Sequence, residues 1–237
     1  MIKSSLLLLF TGLLFSANAQ KVINDANAEP RAVSGFHAIH VSNAFTVTVT
    51  QSNEEKLVVS ANEKEYLADI ETKVENGVLY ISYNEKRKWW PKNRKLRAYI
   101  SLVNVNEIKA TGASDIKIEG QLKSSSLKLD LRGASDLKGE LIVDGSFDAH
   151  LSGASDMNIS GSANEMKIDA SGASDVKAFD FKSTTCVVEA SGACSVHITV
   201  DKELSARLSG ASSVSYKGSA LIRDIKTSGA SNISRKS

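Results

Sequence analysis

Gly112-Ala113-Ser114-Asp115 is the stretch that decides the fold of this 237-residue chain. The same four residues return at 133–136, 153–156 and 172–175, and altered copies follow at 192–195, 210–213 and 229–232. Successive glycines of these copies are 18 to 21 residues apart. A fixed period of about 20 residues predicts stacked repeats, each of which buries its apolar face only against its neighbours.

Apolar and polar positions alternate on both sides of the repeat glycine. In the first copy Ile108, Ala110 and Ile116 take apolar positions that the later copies mostly keep, and the position between the first two is polar throughout. Such alternation indicates β-strands with one buried face. Because about 20 residues at about 3.3 Å each complete one circuit of short strands, we predict a parallel β-helix with one repeat per rung. Right-twisted strands favour a right-handed helix, and a β-prism or β-sandwich is the alternative.

The repeat glycine is expected to take a positive φ at a corner that excludes a side chain. Alanine and serine then fit the tight bend. The serines fall in one column and are expected to form a ladder of hydroxyl groups: Ser114, Ser135, Ser155, Ser174, Ser212 and Ser231. Cys194 replaces the serine of the fifth copy, and the only other cysteine is Cys186. The sequence leaves open a disulfide between them or two buried thiols.

The start of the chain has the features of an export signal. Lys3 precedes an apolar run at 6–15, and Ala17-Asn18-Ala19 forms a small-residue cleavage site. We therefore predict a signal peptide at 1–19, a flexible leader at 20–31, an N-terminal β region at 32–105 and the repeat β-helix at 106–237. The protein is then exported to the periplasm, the outer-membrane surface or the extracellular space. No transmembrane segment is expected after cleavage, since no other apolar run approaches the about 20 residues that a membrane helix needs.

The N-terminal β region has its own strand and turn patterns. Alternation predicts strands at 36–41, 45–49, 57–59 and 96–103, and 63–70 has a weak helical pattern. Asn76-Gly77 predicts a hairpin between strands at 70–74 and 78–83.

Composition and motifs exclude several classes of function. Hydrophobic residues make up 42% of the chain and charged residues 24%, which is typical of a soluble globular protein. A formal net charge of +2 gives no support for nucleic-acid binding. Because the chain lacks a Gly-x-Ser-x-Gly elbow, a His-Glu-x-x-His pair and a P-loop, no catalytic residues are predicted.

The chain resembles a known family over about 32–234. The export signal, the opening Phe36-x-x-Ile39-x-Val41, the hairpin Val78-Leu79-Tyr80-Ile81 and the Ser-Gly-Ala-Ser-Asp repeats together resemble the autotransporter-adhesin head domain family, the GIN domain. The resemblance implies a β-helical exported domain of bacterial cell envelopes, with a role in adhesion and no established activity.

A column of repeat aspartates is a candidate metal site, formed by Asp115, Asp136, Asp156 and Asp175. Calcium prefers several oxygen ligands, so the functional interpretation is a calcium ladder. The alternative is a solvated turn whose carboxylates are balanced by lysines two residues further on: Lys117, Lys138 and Lys177. We expect no bound cofactor other than this candidate calcium.

A basic segment at 85–95 holds both tryptophans of the chain and is the candidate ligand-binding site: Arg87, Lys88, Trp89, Trp90, Lys92 and Arg94. Exposed aromatic and cationic side chains together suit a glycan or a surface protein of the cell envelope. The alternative is that the tryptophans cap the core while the basic residues are solvated.

The sequence thus favours an exported, non-enzymatic binding or adhesion module of the bacterial cell envelope. A carbohydrate-active β-helix enzyme is the first alternative, because His150 is predicted to lie between Asp130 and Asp169 of neighbouring rungs and paired carboxylates cleave glycosidic bonds. A purely structural envelope protein is the second. The last rung, at 225–234, is expected to leave an open edge through which two copies form a homodimer.

Overall fold

The computed structural model describes Asp25, residues 27–84 and residues 94–237. Within these residues the chain forms a short 3-10 helix, Lys64–Asp69, and 17 strands. The strands are β1 (Glu29–Arg31), β2 (Ala38–Val41), β3 (Phe45–Gln51), β4 (Lys56–Ser60), β5 (Ile70–Glu75), β6 (Val78–Tyr83), β7 (Leu96–Leu102), β8 (Glu107–Gly112), β9 (Asp115–Ser124), β10 (Leu127–Gly133), β11 (Asp136–Gly153), β12 (Asp156–Ala170), β13 (Asp175–Ala190), β14 (Ser195–Leu208), β15 (Ser213–Lys217), β16 (Leu221–Thr227) and β17 (Asn232–Arg235).

Parallel strands stack rung upon rung into a β-solenoid of about six turns, with equivalent residues about 20 positions apart. β10 lies between β8 and β11, and Gly133 is in register with Gly112 on one side and Gly153 on the other. Residues at equivalent positions of the sequence repeat therefore lie side by side in neighbouring rungs. The predicted all-β parallel helix is confirmed.

The region before the repeats belongs to the same stack. β2 and β3 pair in parallel with β8 and β9, and β6 and β7 pair in parallel with the other edges of β2 and β3. The stack therefore begins with a β6–β7 layer and a β2–β3 layer, and one sheet runs across the predicted boundary at 105/106. β4 and β5 run antiparallel to β7 and β6 and close this end of the solenoid.

Two local predictions in this region are confirmed and one boundary differs. Asn76 and Gly77 have φ values of 51° and 77° and form the turn between β5 and β6, as the hairpin pattern predicts. The weak helical pattern corresponds to the 3-10 helix. Glu29–Arg31, at the end of the predicted leader, is not a free tail, because it pairs with β4 as strand β1.

The core is a continuous file of apolar side chains inside the solenoid. Most inward positions of the strands between the two ends of the stack are buried, and larger groups stack between rungs, as in Phe147 and Phe181, whose ring centroids are 5.5 Å apart. Cys186 and Cys194 are both buried and unpaired, so the structure has two thiols rather than a disulfide. Burial raises the pKa of Cys186 well above that of an exposed thiol.

The corners of the rungs explain the repeated glycine. Gly153 has a φ of +91°, in the left-handed region that disfavours a side chain. A Cβ at this position would lie 2.4 Å from the carbonyl oxygen of Gly133 in the rung below. That oxygen accepts a 2.7 Å hydrogen bond from the Ala154 amide, which draws adjacent corners together. Glycine is therefore required both by the backbone conformation and by the close approach of the next rung.

The expected ladder of serine hydroxyl groups is wrong. The repeat serines are buried except for Ser231 in the last rung, and each hydroxyl donates to a backbone carbonyl three residues earlier, as Ser135 does to Arg132 (3.0 Å) and Ser174 to Ser171 (3.0 Å). The thiol of Cys194 makes the equivalent contact with Ser191 at 3.2 Å. Bonding to the carbonyl of the same turn is the usual local bonding of serine in turns. Ser114 also donates to the Asn43 carbonyl of the neighbouring layer (3.0 Å), so the hydroxyl groups contact backbone carbonyls and not one another.

Candidate functional site

The candidate ligand-binding segment is attached at an exceptional corner of the solenoid. β2 and β3 are joined through three residues, Ser42-Asn43-Ala44, and the equivalent corners of the repeat rungs use two to four residues. In the layer beside them β6 ends at Tyr83 and β7 begins at Leu96, so the connection between these strands has 12 residues, 84–95. Trp89, Trp90, Arg87, Lys88 and Lys92 lie outside the described residues. The strand ends nevertheless place both ends of the segment in the column of the repeat corners.

The base of this segment is held by contacts on both sides. The guanidinium of Arg94 lies over the ring of Tyr83, 4.2 Å from its centroid. Tyr83 is buried, its amide donates to the side chain of Asn43 (3.0 Å) and its hydroxyl donates to Asp69 (3.2 Å). On the returning side the Lys95 amide donates to the side chain of Asn62 (2.9 Å). Arg94 therefore helps to anchor the segment to the solenoid.

The surroundings of the Tyr83 hydroxyl keep this side chain neutral. Burial raises the pKa of the Tyr83 hydroxyl, and the negative charge of Asp69 acts in the same direction, while the hydrogen bond with Arg94 opposes them. The phenol therefore remains a hydrogen-bond donor to Asp69 at neutral pH. Sequence reasoning missed this support, because Asn43, Asp69 and Tyr83 come from three separate segments.

The aspartate column is brought together as predicted. Asp136 lies beside Asp115, and Asp156 beside Asp175, in neighbouring rungs. Burial raises the pKa of Asp115, and the charge of Asp136 raises it further, while Lys138 opposes both. Lys177 pairs with Asp175 at 3.2 Å. Within the described residues, no three or more His, Cys, Asp or Glu side chains are grouped so as to hold a metal ion.

The histidine and carboxylate column also forms as predicted, but it does not resemble a pair of catalytic acids. His150 lies between Asp130 and Asp169 in register, and its Nδ1 is 3.3 Å from a carboxylate oxygen of Asp169. Asp130 is paired with Lys109 (3.1 Å) and Arg132 (2.7 Å).

Asp130 lacks the protonation state of a general acid. Burial opposes its ionisation, but the hydrogen bonds and charges of Arg132 and Lys109 outweigh burial and lower the pKa of its carboxyl group. A general acid needs a raised pKa. Asp130 is therefore not suited to the role of general acid.

A second aromatic cluster on the surface was not predicted from the sequence. The rings of Phe179 and His197 meet edge to face at 5.0 Å, and the Lys217 ammonium lies 5.0 Å from the Phe179 centroid. The register shifts between β13 and β14 near Ala178. Because such a shift interrupts the column pattern, regular spacing does not identify this cluster.

These features define the class of protein. It is a parallel β-solenoid in which Asp130 and Asp175 of the polar columns are paired with basic side chains. The connection between β6 and β7, the longest between consecutive strands of the described chain, carries the basic segment. The 3-10 helix of six residues is the longest helix in the described part of the chain, and none there is long and apolar enough to cross a membrane.

Residues 35–220 match the family described as "Putative auto-transporter adhesin, head GIN domain", and the chain belongs to this family. The resemblance inferred from the repeats is thereby confirmed. The family is named for adhesins rather than for enzymes. The sequence matches none of the curated proteins.

Solved structures from Bacteroides and Parabacteroides species share the fold. A putative adhesin from Bacteroides fragilis superposes with a TM-score of 0.82 at 20% identity, covering 88% of this chain and 96% of that one. A putative lipid binding protein from Parabacteroides distasonis has a TM-score of 0.65 at 17% identity, with 90% and 98% covered. A putative adhesin from Parabacteroides merdae has a TM-score of 0.62 at 16% identity, with 91% and 98% covered. At these identities the likeness establishes the fold alone.

Proposed function

We propose that this protein is an exported, non-enzymatic adhesion module of the cell envelope that binds glycan through its basic segment at 85–95. The solenoid is the rigid scaffold, and the segment, which connects the strands of the β6–β7 layer, determines which ligand is bound. Membership in an adhesin-type family supports a surface or exported location. The single observation that carries the choice of site is the 12-residue connection between β6 and β7 at a corner where the adjacent layer uses three residues.

The composition of the segment fits a glycan. Trp89 and Trp90 offer flat apolar faces for sugar rings, and the surrounding lysines and arginines offer charge to acidic sugars. Arg94 and Tyr83 fix where the segment leaves the stack. A fixed base lowers the entropy that the segment loses when it binds, which favours affinity.

The test is binding of Gln20–Ser237, which contains every described residue, to an array of envelope and host glycans. The Trp89→Ala/Trp90→Ala variant should lose at least about tenfold in affinity, since aromatic hot-spot residues commonly contribute 2 kcal/mol or more. Lys128→Ala/Lys167→Ala is the matched control, because both lysines are exposed on the solenoid and distant in sequence from the segment. It should bind as the unmodified chain does.

Absence of glycan binding would overturn this proposal, and a destabilised tryptophan variant would require a different variant as the test. If the unmodified chain binds no glycan, the segment serves a protein partner or the protein is purely structural, and a pull-down from envelope extracts separates these. If the tryptophan variant melts at a clearly lower temperature, the tryptophans cap the core. Substitution of Arg87, Lys88 and Lys92 by alanine then tests whether binding depends on the segment's charges.

A further inference from the structure

The two ends of the solenoid differ in how they finish. At the first end an N-terminal cap, residues 52–77, lays β4 and β5 antiparallel across the β6–β7 layer. Its side chains Leu57, Val59, Leu67 and Ile70 are buried and close the core. At the other end the C-terminal rung, residues 218–237, contains β16 and β17, and each pairs with one strand only within the described residues.

The C-terminal rung exposes apolar side chains and strand edges together. Leu221 is 66% exposed and Ile222 47%, the two largest values among the large hydrophobic residues of the described chain. Ile225 is only half-buried, although its column neighbour Ala206 in the rung below is fully buried. An open edge with apolar neighbours favours the addition of another strand.

The N-terminal cap also presents a strand edge. β5 pairs with β6 and with no second strand in the described residues. It carries Glu71 and Glu75 exposed on its outer face and Val74 half-buried on the inner one. Since β5 runs antiparallel to the stacked strands of its face, it meets β16 of a coaxial neighbour as an antiparallel pair.

The charges of the two ends are opposite. The N-terminal cap has seven acidic and three basic side chains, a net charge of −4. The C-terminal rung has four basic side chains and one acidic, a net charge of +3. Arg94 and Lys95, at the base of the basic segment, lie beside the cap, because the Lys95 amide donates to the side chain of Asn62 (2.9 Å). When these two residues, Asp25 and strand β1 are counted with the cap, the described residues of this end still have a net charge of −3. Contact of two identical C-terminal rungs would bring like charges together, whereas contact of a rung with a cap brings opposite charges together.

We infer that the C-terminal rung of one copy binds the N-terminal cap of a second copy, so that the protein associates head to tail. The contact is heterologous, since it uses two different surfaces, and each added copy presents a fresh rung and a fresh cap. The association therefore continues beyond a dimer into coaxial filaments. It differs from the homodimer through two open ends that the sequence predicts, and it does not depend on what the basic segment binds.

Sedimentation velocity of Gln20–Ser237 at low salt tests this inference. The weight-average mass should rise with concentration past that of a dimer, and about 0.5 M salt should weaken the association, because exposed charges are then screened within about 4 Å. Lys226→Glu/Lys236→Glu on the rung, or Glu71→Lys/Glu75→Lys on the cap, should each lower the association constant about tenfold or more. Lys128→Glu/Lys167→Glu changes the net charge as the rung variant does, but lies mid-solenoid, and should leave association unchanged.

Mixing the rung variant with the cap variant is the decisive experiment. The mixture should regain association, because the reversed rung then meets the reversed cap and the two native ends meet each other. Far-UV circular dichroism confirms that each variant is folded. A strictly monomeric chain at low salt, a mass that stops at the dimer, or a mixture that stays monomeric would each overturn head-to-tail association.

Discussion

Gly153→Ala tests whether the repeat glycine is set by the contact between rungs. Gly153 has a φ of +91°, and an added Cβ would lie 2.4 Å from the Gly133 carbonyl oxygen. The nearest atoms are backbone, so the clash is not relieved by a side-chain rotation. Relief requires the two corners to separate, which also lengthens the 2.7 Å hydrogen bond from the Ala154 amide to Gly133.

The loss of stability has two parts. A left-handed φ costs a side-chain-bearing residue about 1.5 kcal/mol. The forced separation of rungs adds about 2 kcal/mol, as overpacking of a close-packed contact does. Gly153→Ala should therefore lower the free energy of unfolding by about 3.5 kcal/mol, which at about 3 °C per kcal/mol corresponds to about 10 °C in Tm.

Gly120→Ala is the matched control. Gly120 has a φ of +73°, but a Cβ there meets no atom within 4 Å. This variant has only the conformational cost, about 1.5 kcal/mol. Urea unfolding followed by circular dichroism measures both variants against the unmodified chain. Equal losses for the two variants would refute the close approach of rungs as the reason for the glycine column.

The remaining predictions concern Asp130 and Asp115 of the polar columns and Ser174 and Cys194 of the serine column. The pKa of Asp130 is lower in the folded than in the unfolded chain, so its ion pairs stabilise the fold above its ordinary value of 3.8 and this contribution is lost as the pH falls through the folded value. The pKa of Asp115 is raised, so its contribution is complete below 3.8 and is lost as the pH rises through the folded value. Asp130→Asn should therefore destabilise the protein at pH 7, and Asp115→Asn should stabilise it. Thermal melts at pH 7 and pH 3 should show that both changes in Tm are smaller in acid. Changes in Tm of the same sign for the two variants at pH 7 would contradict this assignment. In the serine column Ser174→Ala should lower the free energy of unfolding by about 1 kcal/mol, because the Ser171 carbonyl loses a buried donor. Cys194→Ser should leave the free energy of unfolding unchanged or raise it, as urea unfolding would measure. A large loss of stability from Cys194→Ser would show that this corner differs from its neighbours.

The base of the basic segment shows where prediction from sequence ends. The residues of the segment are evident from their composition, yet nothing local indicates that Arg94 lies over Tyr83 or that Asn43 accepts from the Tyr83 amide. Asn43 and Tyr83 are 40 positions apart and meet only because β6 pairs with β2. His40 and Glu107, 2.6 Å apart across 67 positions, meet for the same kind of reason.

The sequence by itself determined the repeating half of the protein. Each rung contacts the next with the same register, so the inward, outward and corner positions recur every 18 to 21 residues and are readable as a period. Only the tertiary structure decided the order of the first layers, in which β6–β7 stacks outside β2–β3, and the antiparallel cap over them. The N-terminal segments have no sequence repeat from which their strand pairing could be predicted, because that pairing depends on which strand edges the folded stack leaves open. The open edges of the N-terminal cap and the C-terminal rung, with their opposite charges, are the surfaces through which we infer that two copies bind.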